Sequence, residues 1–167
     1  IDGDEFLLSL KDKKMTYGDI FGSTAFKDGV ASLYEDIRPE QMIPTHGAIG
    51  ANNMVIMSLI EPGDNMISVM PTYQQHYSIP ASIGAEVRIH QLTYENKFLP
   101  DIEKLAGQVD EKTKMITINN PDNPTGSWIP METMKEIVKI AESVGAYVLC
   151  DEVYRVISED GSYMHSI

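Results

Sequence analysis

Met115-Ile116-Thr117-Ile118-Asn119-Asn120-Pro121-Asp122-Asn123-Pro124-Thr125-Gly126 decides the fold when set beside Ala146-Tyr147-Val148-Leu149-Cys150-Asp151-Glu152-Val153-Tyr154. Each stretch opens on an apolar run of strand length and ends in polar residues. Apolar runs without strict alternation suit strands buried on both faces, as in parallel sheets. Between them, residues 130–144 space their apolar side chains as a helix does. Pro130 stands at the first turn of that helix and Gly145 just past its last. Strand, helix, strand predicts a parallel pair joined by a crossover helix. The polar ends of two such strands lie at the carboxyl edge of the sheet, where open α/β sheets bind ligands. That edge receives an amide from Asn123, a carboxylate from Asp151 and a phenol from Tyr154.

The alternation continues upstream. Residues 48–60 read as a helix closed by Glu61-Pro62-Gly63-Asp64, and residues 66–70 as a buried strand broken by Pro71. A helix over 73–83 (with Pro80 inside it), a strand over 86–92 and a short helix over 101–106 follow. Nearer the start, residues 24–37 predict a helix ended by Arg38-Pro39, and residues 42–44 a short strand. The pattern predicts an α/β fold, a doubly wound, mostly parallel sheet with helices on both faces. Residues 1–40 are less regular and read as a segment leading into an α/β domain over 41–167.

Composition narrows the function. A chain of 167 residues supports one core, and 43% hydrophobic residues is ordinary for a soluble globular protein. A net charge of -12 argues against a nucleic-acid partner and against an anionic membrane surface. No apolar run approaches the ~18 residues of a membrane-spanning helix. The single Cys150 cannot form an internal disulfide, fits a reducing compartment such as the cytoplasm, and reads as a small buried hydrophobe on a strand. No metal site is expected.

Two further turns carry possible chemistry. Thr45-His46-Gly47-Ala48-Ile49-Gly50-Ala51 joins an extended segment to a helix. First-turn amides lack intrahelical acceptors and favour an anion, but an ordinary strand-to-helix turn fits the same residues. His46 reads as a loop histidine rather than a catalyst. Tyr73, after Pro71-Thr72, either caps the core or offers its ring to a flat ligand. Turn chemistry alone accounts for Asn119, Asn120 and Asp122.

Taken in order, these stretches resemble the fold-type I pyridoxal-phosphate enzymes, specifically the class I/II aminotransferase-like family. The resemblance runs from about Tyr17 to Tyr154 and rests on the Asn-Pro-x-Asn-Pro-Thr-Gly stretch at 120–126 and on Asp151-x-x-Tyr154. It implies pyridoxal 5'-phosphate as cofactor, with the phosphate on the amides of Ala48 and Ile49 beside Gly47. Tyr73 would stack on the ring, and Asn123 and Tyr154 would both donate to its phenolate oxygen. Asp151 would face the ring nitrogen, and Asp151 and Tyr154 are the catalytic candidates. Tyr17 would reach across a homodimer to the partner's cofactor phosphate. The implied activity is transfer of an amino group between an amino acid and a 2-oxo acid. Lyase or cyclising chemistry, and a non-catalytic cofactor-binding or sensor domain, stay open. The family's Schiff-base lysine follows the Asp-x-x-Tyr, and its substrate-binding arginine lies in a C-terminal small domain. Neither is expected within these 167 residues, since Lys135 and Lys139 fall on a helix away from the strand ends. The chain therefore reads as a large-domain fragment, incomplete at its C-terminus and inactive alone.

Overall fold

A computed structural model describes residues 3–14, 16–157 and 164–166. The chain divides into two compact units, Ile1–Pro44 and Thr45–Ile167.

The first unit holds two helices, α1 (Gly3–Leu10) and α2 (Thr24–Ala31), and a 3-10 turn at Pro39–Gln41. Helix α1 has no counterpart among the sequence expectations; its Phe6, Leu7 and Leu8 are exposed. Helix α2 starts where the Ser23 hydroxyl accepts the Phe26 N–H at 3.3 Å, satisfying a first-turn donor. It stops at Ala31 rather than continuing to residue 37. Beyond it, Leu33 and Tyr34 donate to Val30 and Ala31, a tightened i→i+3 turn, and Asp36 sits at φ 59°. Gly29 weakens the helix and a left-handed residue cannot continue it. The strand expected over 42–44 is not formed. Met42 is extended, with φ -109° and ψ 138°, but the segment joins no ladder, and extended backbone becomes a strand only by pairing.

The second unit is built on four parallel strands in the spatial order β2-β1-β3-β4. The strands are β1 (Asn65–Met70), β2 (Glu86–Gln91), β3 (Thr113–Asn119) and β4 (Tyr147–Asp151). The helices are α3 (Gly47–Leu59), α4 (Gln75–Ile83), α5 (Ile102–Ala106) and α6 (Met131–Val144). Gly145, at φ 70°, closes α6 in the left-handed conformation that glycine adopts without strain.

Side-chain alternation along the strands assigns the two faces. Ile67 and Val69 of β1, Ile116 and Ile118 of β3, and Val148 and Cys150 of β4 pack with Leu105 of α5 and with Met134, Ile137 and Ala141 of α6. Met66, Met115 and Leu149 point the other way, onto Ile56 and Leu59 of α3 and Ile79 and Ile83 of α4. Helices thus cover both faces of a doubly wound sheet, and Cys150 lies on a strand against the core. Burial pushes its thiol well above the ordinary range, as for a packing residue rather than a nucleophile.

The strand order also locates a crevice. From β1 the chain crosses through α4 to β2 on one side; it then returns to β3 on the other side of β1 and continues through α6 to β4. The winding reverses between β1 and β3, and the carboxyl ends of strands at such a switch point frame a ligand cleft.

Candidate functional site

Asp151 is the last residue of β4 and pairs in register with Asn119, the last of β3. It faces α3 and α4, and only 8% of it is exposed. Its Oδ1 accepts the Val153 N–H at 3.1 Å, and its Oδ2 accepts the Asn52 side-chain amide of α3 at 2.9 Å. The His76 Nε2 of α4 lies 3.7 Å from the same Oδ2, beyond hydrogen-bonding reach. Burial pushes the carboxyl up in pKa. His76, Asn52 and the Val153 N–H outweigh it, so Asp151 titrates below the ordinary carboxylate value and is ionised at neutral pH. His76 is fully buried, with Nδ1 3.2 Å from the Thr72 hydroxyl. If that hydroxyl donates to Nδ1, the ring proton sits on Nε2 and faces Asp151.

The loop after β3 is stapled to β4 through its asparagines. The Asn119 amide donates to the Asp151 carbonyl at 2.8 Å and accepts the Asn123 N–H at 2.8 Å. The Asn120 N–H donates to the same carbonyl at 2.9 Å, and the Asn120 side-chain oxygen accepts the Ile129 N–H at 2.9 Å. Asp122 caps the turn by accepting from the Thr125 N–H and hydroxyl; burial raises its pKa, partly offset by these bonds. Turn chemistry thus explains part of this stretch, while Asn119 and Asn120 do more than turn the chain. They hold Asn123 where its amide nitrogen meets the Tyr154 hydroxyl at 3.3 Å. Asn123, Pro124, Gly126 and Tyr154 line an open cleft of about 370 Å³.

Helix α3 begins at Gly47, at φ 75°, after His46, which makes no side-chain cap bond. The Gly47 N–H is taken by the Thr45 carbonyl at 3.0 Å. Ala48 and Ile49 follow in the first turn, where the helix supplies their amides no acceptor. The turn is open to solvent, with Ile49 55% exposed. Gln75, at the start of α4, donates to the Ile49 carbonyl at 3.1 Å and so ties that turn to the segment after β1. Tyr73 lies in this segment, partly exposed, its carbonyl accepting the His76 N–H.

Seven of the residues singled out from sequence therefore gather at one edge. Gly47, Ala48 and Ile49 lie on the α3 turn, Tyr73 follows β1, Asn123 follows β3, and Asp151 with Tyr154 ends β4. Tyr17 belongs to the first unit and is fully exposed. Sequence reasoning missed Asn52 and His76. Both are polar residues on apolar helical stripes, Asn52 four before Ile56 and His76 four before Pro80, with all four buried. A polar side chain on a buried stripe needs a partner, and that was the available signal.

A sequence profile of the family "Aminotransferase class I and II" matches residues 5–165. The aspartate aminotransferase of Thermotoga maritima is 30% identical over 156 residues, which are 90% of this chain and 41% of that protein. The aspartate aminotransferase of Pyrococcus horikoshii is 36% identical over 150 residues, 85% of this chain and 38% of that protein. Among solved structures, a PLP-dependent aminotransferase from Streptococcus suis superposes with a TM-score of 0.90 at 52% identity, covering 93% of this chain and 42% of that one. The chain spans about two fifths of the length of these relatives. Motifs, sheet winding and sequence agree: the chain belongs to the class I and II aminotransferase family.

Proposed function

We propose that the protein containing this chain is a pyridoxal-phosphate-dependent aminotransferase that moves an amino group from an amino acid to a 2-oxo acid, and that residues 41–167 form the greater part of its cofactor cradle. One observation carries the reading. An ionised, nearly buried carboxylate, Asp151, stands at the carboxyl edge of a parallel sheet, on the same face as a helix whose first turn opens to an anion. The residues fit a ligand with a cationic ring nitrogen and a phosphate. Asp151 supplies the anion for the one, and the Ala48 and Ile49 amides with the positive end of the α3 dipole supply the donors for the other. His76 Nε2, buried beside Asp151, is a polar atom without a hydrogen-bond partner among the described residues.

Pyridoxal phosphate, when bound, supplies an electron-poor ring that takes up the electron pair left at the substrate's α-carbon. Asp151 would hold the proton at the ring nitrogen, because its own low pKa disfavours taking it back. Asn123 and Tyr154 would donate to the ring oxygen, and Tyr73 would pack against the ring face. Gly47, lacking a side chain, would let the backbone approach the phosphate. Tyr17 would serve the site of a partner subunit, making the enzyme a homodimer. The acidic, single-cysteine composition favours the cytoplasm. No helix among the described residues is long and apolar enough to cross a membrane.

The test uses the full-length protein, titrated with pyridoxal phosphate by visible absorbance and then offered amino acids with and without a 2-oxo acid. Saturable binding and turnover that needs both substrates are expected. Consumption of an amino acid without a 2-oxo acid would shift the reading to lyase or cyclising chemistry. Tight binding without turnover of any amino acid would shift it to a sensor, and absence of binding would refute it.

A further inference from the structure

Asn52 lies in the middle of α3, 6% exposed, 99 residues from the carboxylate it contacts. Its stripe continues through Ile56, which packs in the core. An asparagine at such a position gives up burial energy that a leucine would supply, so its polar contact needs a physical reason. The contact is specific. Asn52 Nδ2 meets Asp151 Oδ2 at 2.9 Å, while the Val153 N–H holds Oδ1 at 3.1 Å. Two donors on two oxygens fix the carboxylate plane as well as its position.

We propose that Asn52 is a positioning residue for Asp151, and that through it helix α3 couples the anion-binding turn at its N-terminus to the carboxylate at the end of β4. Asn52 is four residues beyond Ala48, about 6 Å along the helix axis at the usual rise per residue. About one rigid turn of helix therefore sets the spacing between the donors for an anion and the residue that orients the acceptor for a cation. A ligand bearing both charges meets a preset distance instead of two independently mobile groups. His76 also faces Asp151 Oδ2, but at 3.7 Å it makes no directed bond, so orientation falls to Asn52 and Val153. This inference rests on the proposed pyridoxal-phosphate site.

The experiment takes full-length wild type, Asn52→Leu, Asp151→Ala and the double variant. It measures the Kd for pyridoxal phosphate, the pH titration of the bound cofactor's absorbance, and the thermal midpoint of each apoprotein. Asn52→Leu is expected to weaken binding about ten- to a hundredfold, the worth of one hydrogen bond to a charged group. Its absorbance titration is expected to shift from that of wild type, because Asp151 loses a donor that favours its ionised form. In the Asp151→Ala background the same substitution is expected to have little further effect on Kd, since the residue it acts through is gone. Equal losses in both backgrounds, or an unshifted titration, would overturn the proposal while leaving the pyridoxal-phosphate reading intact. Wild type that fails to bind pyridoxal phosphate would overturn both. If Asn52→Leu lowers the apoprotein midpoint sharply, Asn52→Ala replaces it in the same cycle, with the same two outcomes deciding.

Discussion

Replacing Asn119 by alanine isolates the staple that places the β3 loop. Asn119 is 3% exposed and makes two hydrogen bonds of 2.8 Å, to the Asp151 carbonyl and from the Asn123 N–H. The two losses are unequal. The Asp151 carbonyl keeps the Asn120 N–H at 2.9 Å, so it forfeits a second bond worth about 1 kcal/mol. The Asn123 N–H loses the partner that fixes it in a half-buried loop, at about 1–2 kcal/mol. The sum, about 2–3 kcal/mol, is a large part of a typical net stability of about 5–15 kcal/mol. Urea unfolding of the full-length variant should show that loss in the midpoint with an unchanged slope. Hydrogen exchange adds a local readout: the Asn123 amide should lose protection while the β1 amides keep theirs. A loss under about 0.5 kcal/mol, the range of ordinary surface changes, together with normal Asn123 protection, would refute the staple.

Two further outcomes follow from single residues. His90 is fully buried, its Nδ1 2.7 Å from the Gln108 side-chain oxygen and its Nε2 accepting the Asp101 N–H at 3.1 Å, an arrangement that requires the neutral ring. Burial holds its pKa below the ordinary 6.5, so the unfolded chain takes up the proton first. The stability it contributes is therefore full above about pH 6.5 and is lost as pH falls toward the lower folded value. Urea midpoints from pH 7 to 5 should fall, less steeply in His90→Leu. Gly47→Val should cost about 1–3 kcal/mol, because a branched side chain is strained at φ 75°. It should also weaken pyridoxal-phosphate binding, read as Kd, by disturbing the turn that presents Ala48 and Ile49.

The central strands β1 and β3 were legible because both of their faces are covered. Val69, Ile116 and Ile118 are nearly fully buried, and such strands read as unbroken apolar runs bounded by Pro and Gly. The first unit was less legible because its signals are local and weak. Residues 32–37 keep apolar spacing, yet the helix gives way to a tightened turn after Ala31 and the left-handed Asp36 bars its continuation, while 42–44 is extended at Met42 without a ladder to join. In the site, residues at strand ends could be placed from sequence because topology brings parallel strand ends together. Asn52 and His76 could not, because their meaning depends on helices packing back over the sheet onto a residue 99 or 75 positions away. Asn119 and Asn120 were read as turn residues, since nothing local distinguishes an asparagine that bends the chain from one that staples it to the next strand.

The most direct test of the account is single-turnover kinetics of full-length Asp151→Asn with a good amino-acid donor, followed alongside the absorbance of bound cofactor. Asparagine keeps the shape of the side chain and can still meet Asn52, but it cannot hold a proton at the ring nitrogen. The account predicts that the cofactor still binds and that the chemical step slows by about 10²–10³, the usual worth of one preorganised electrostatic group. Near-normal turnover with the cofactor bound would contradict it, because Asp151 would then not be the residue that faces the ring nitrogen.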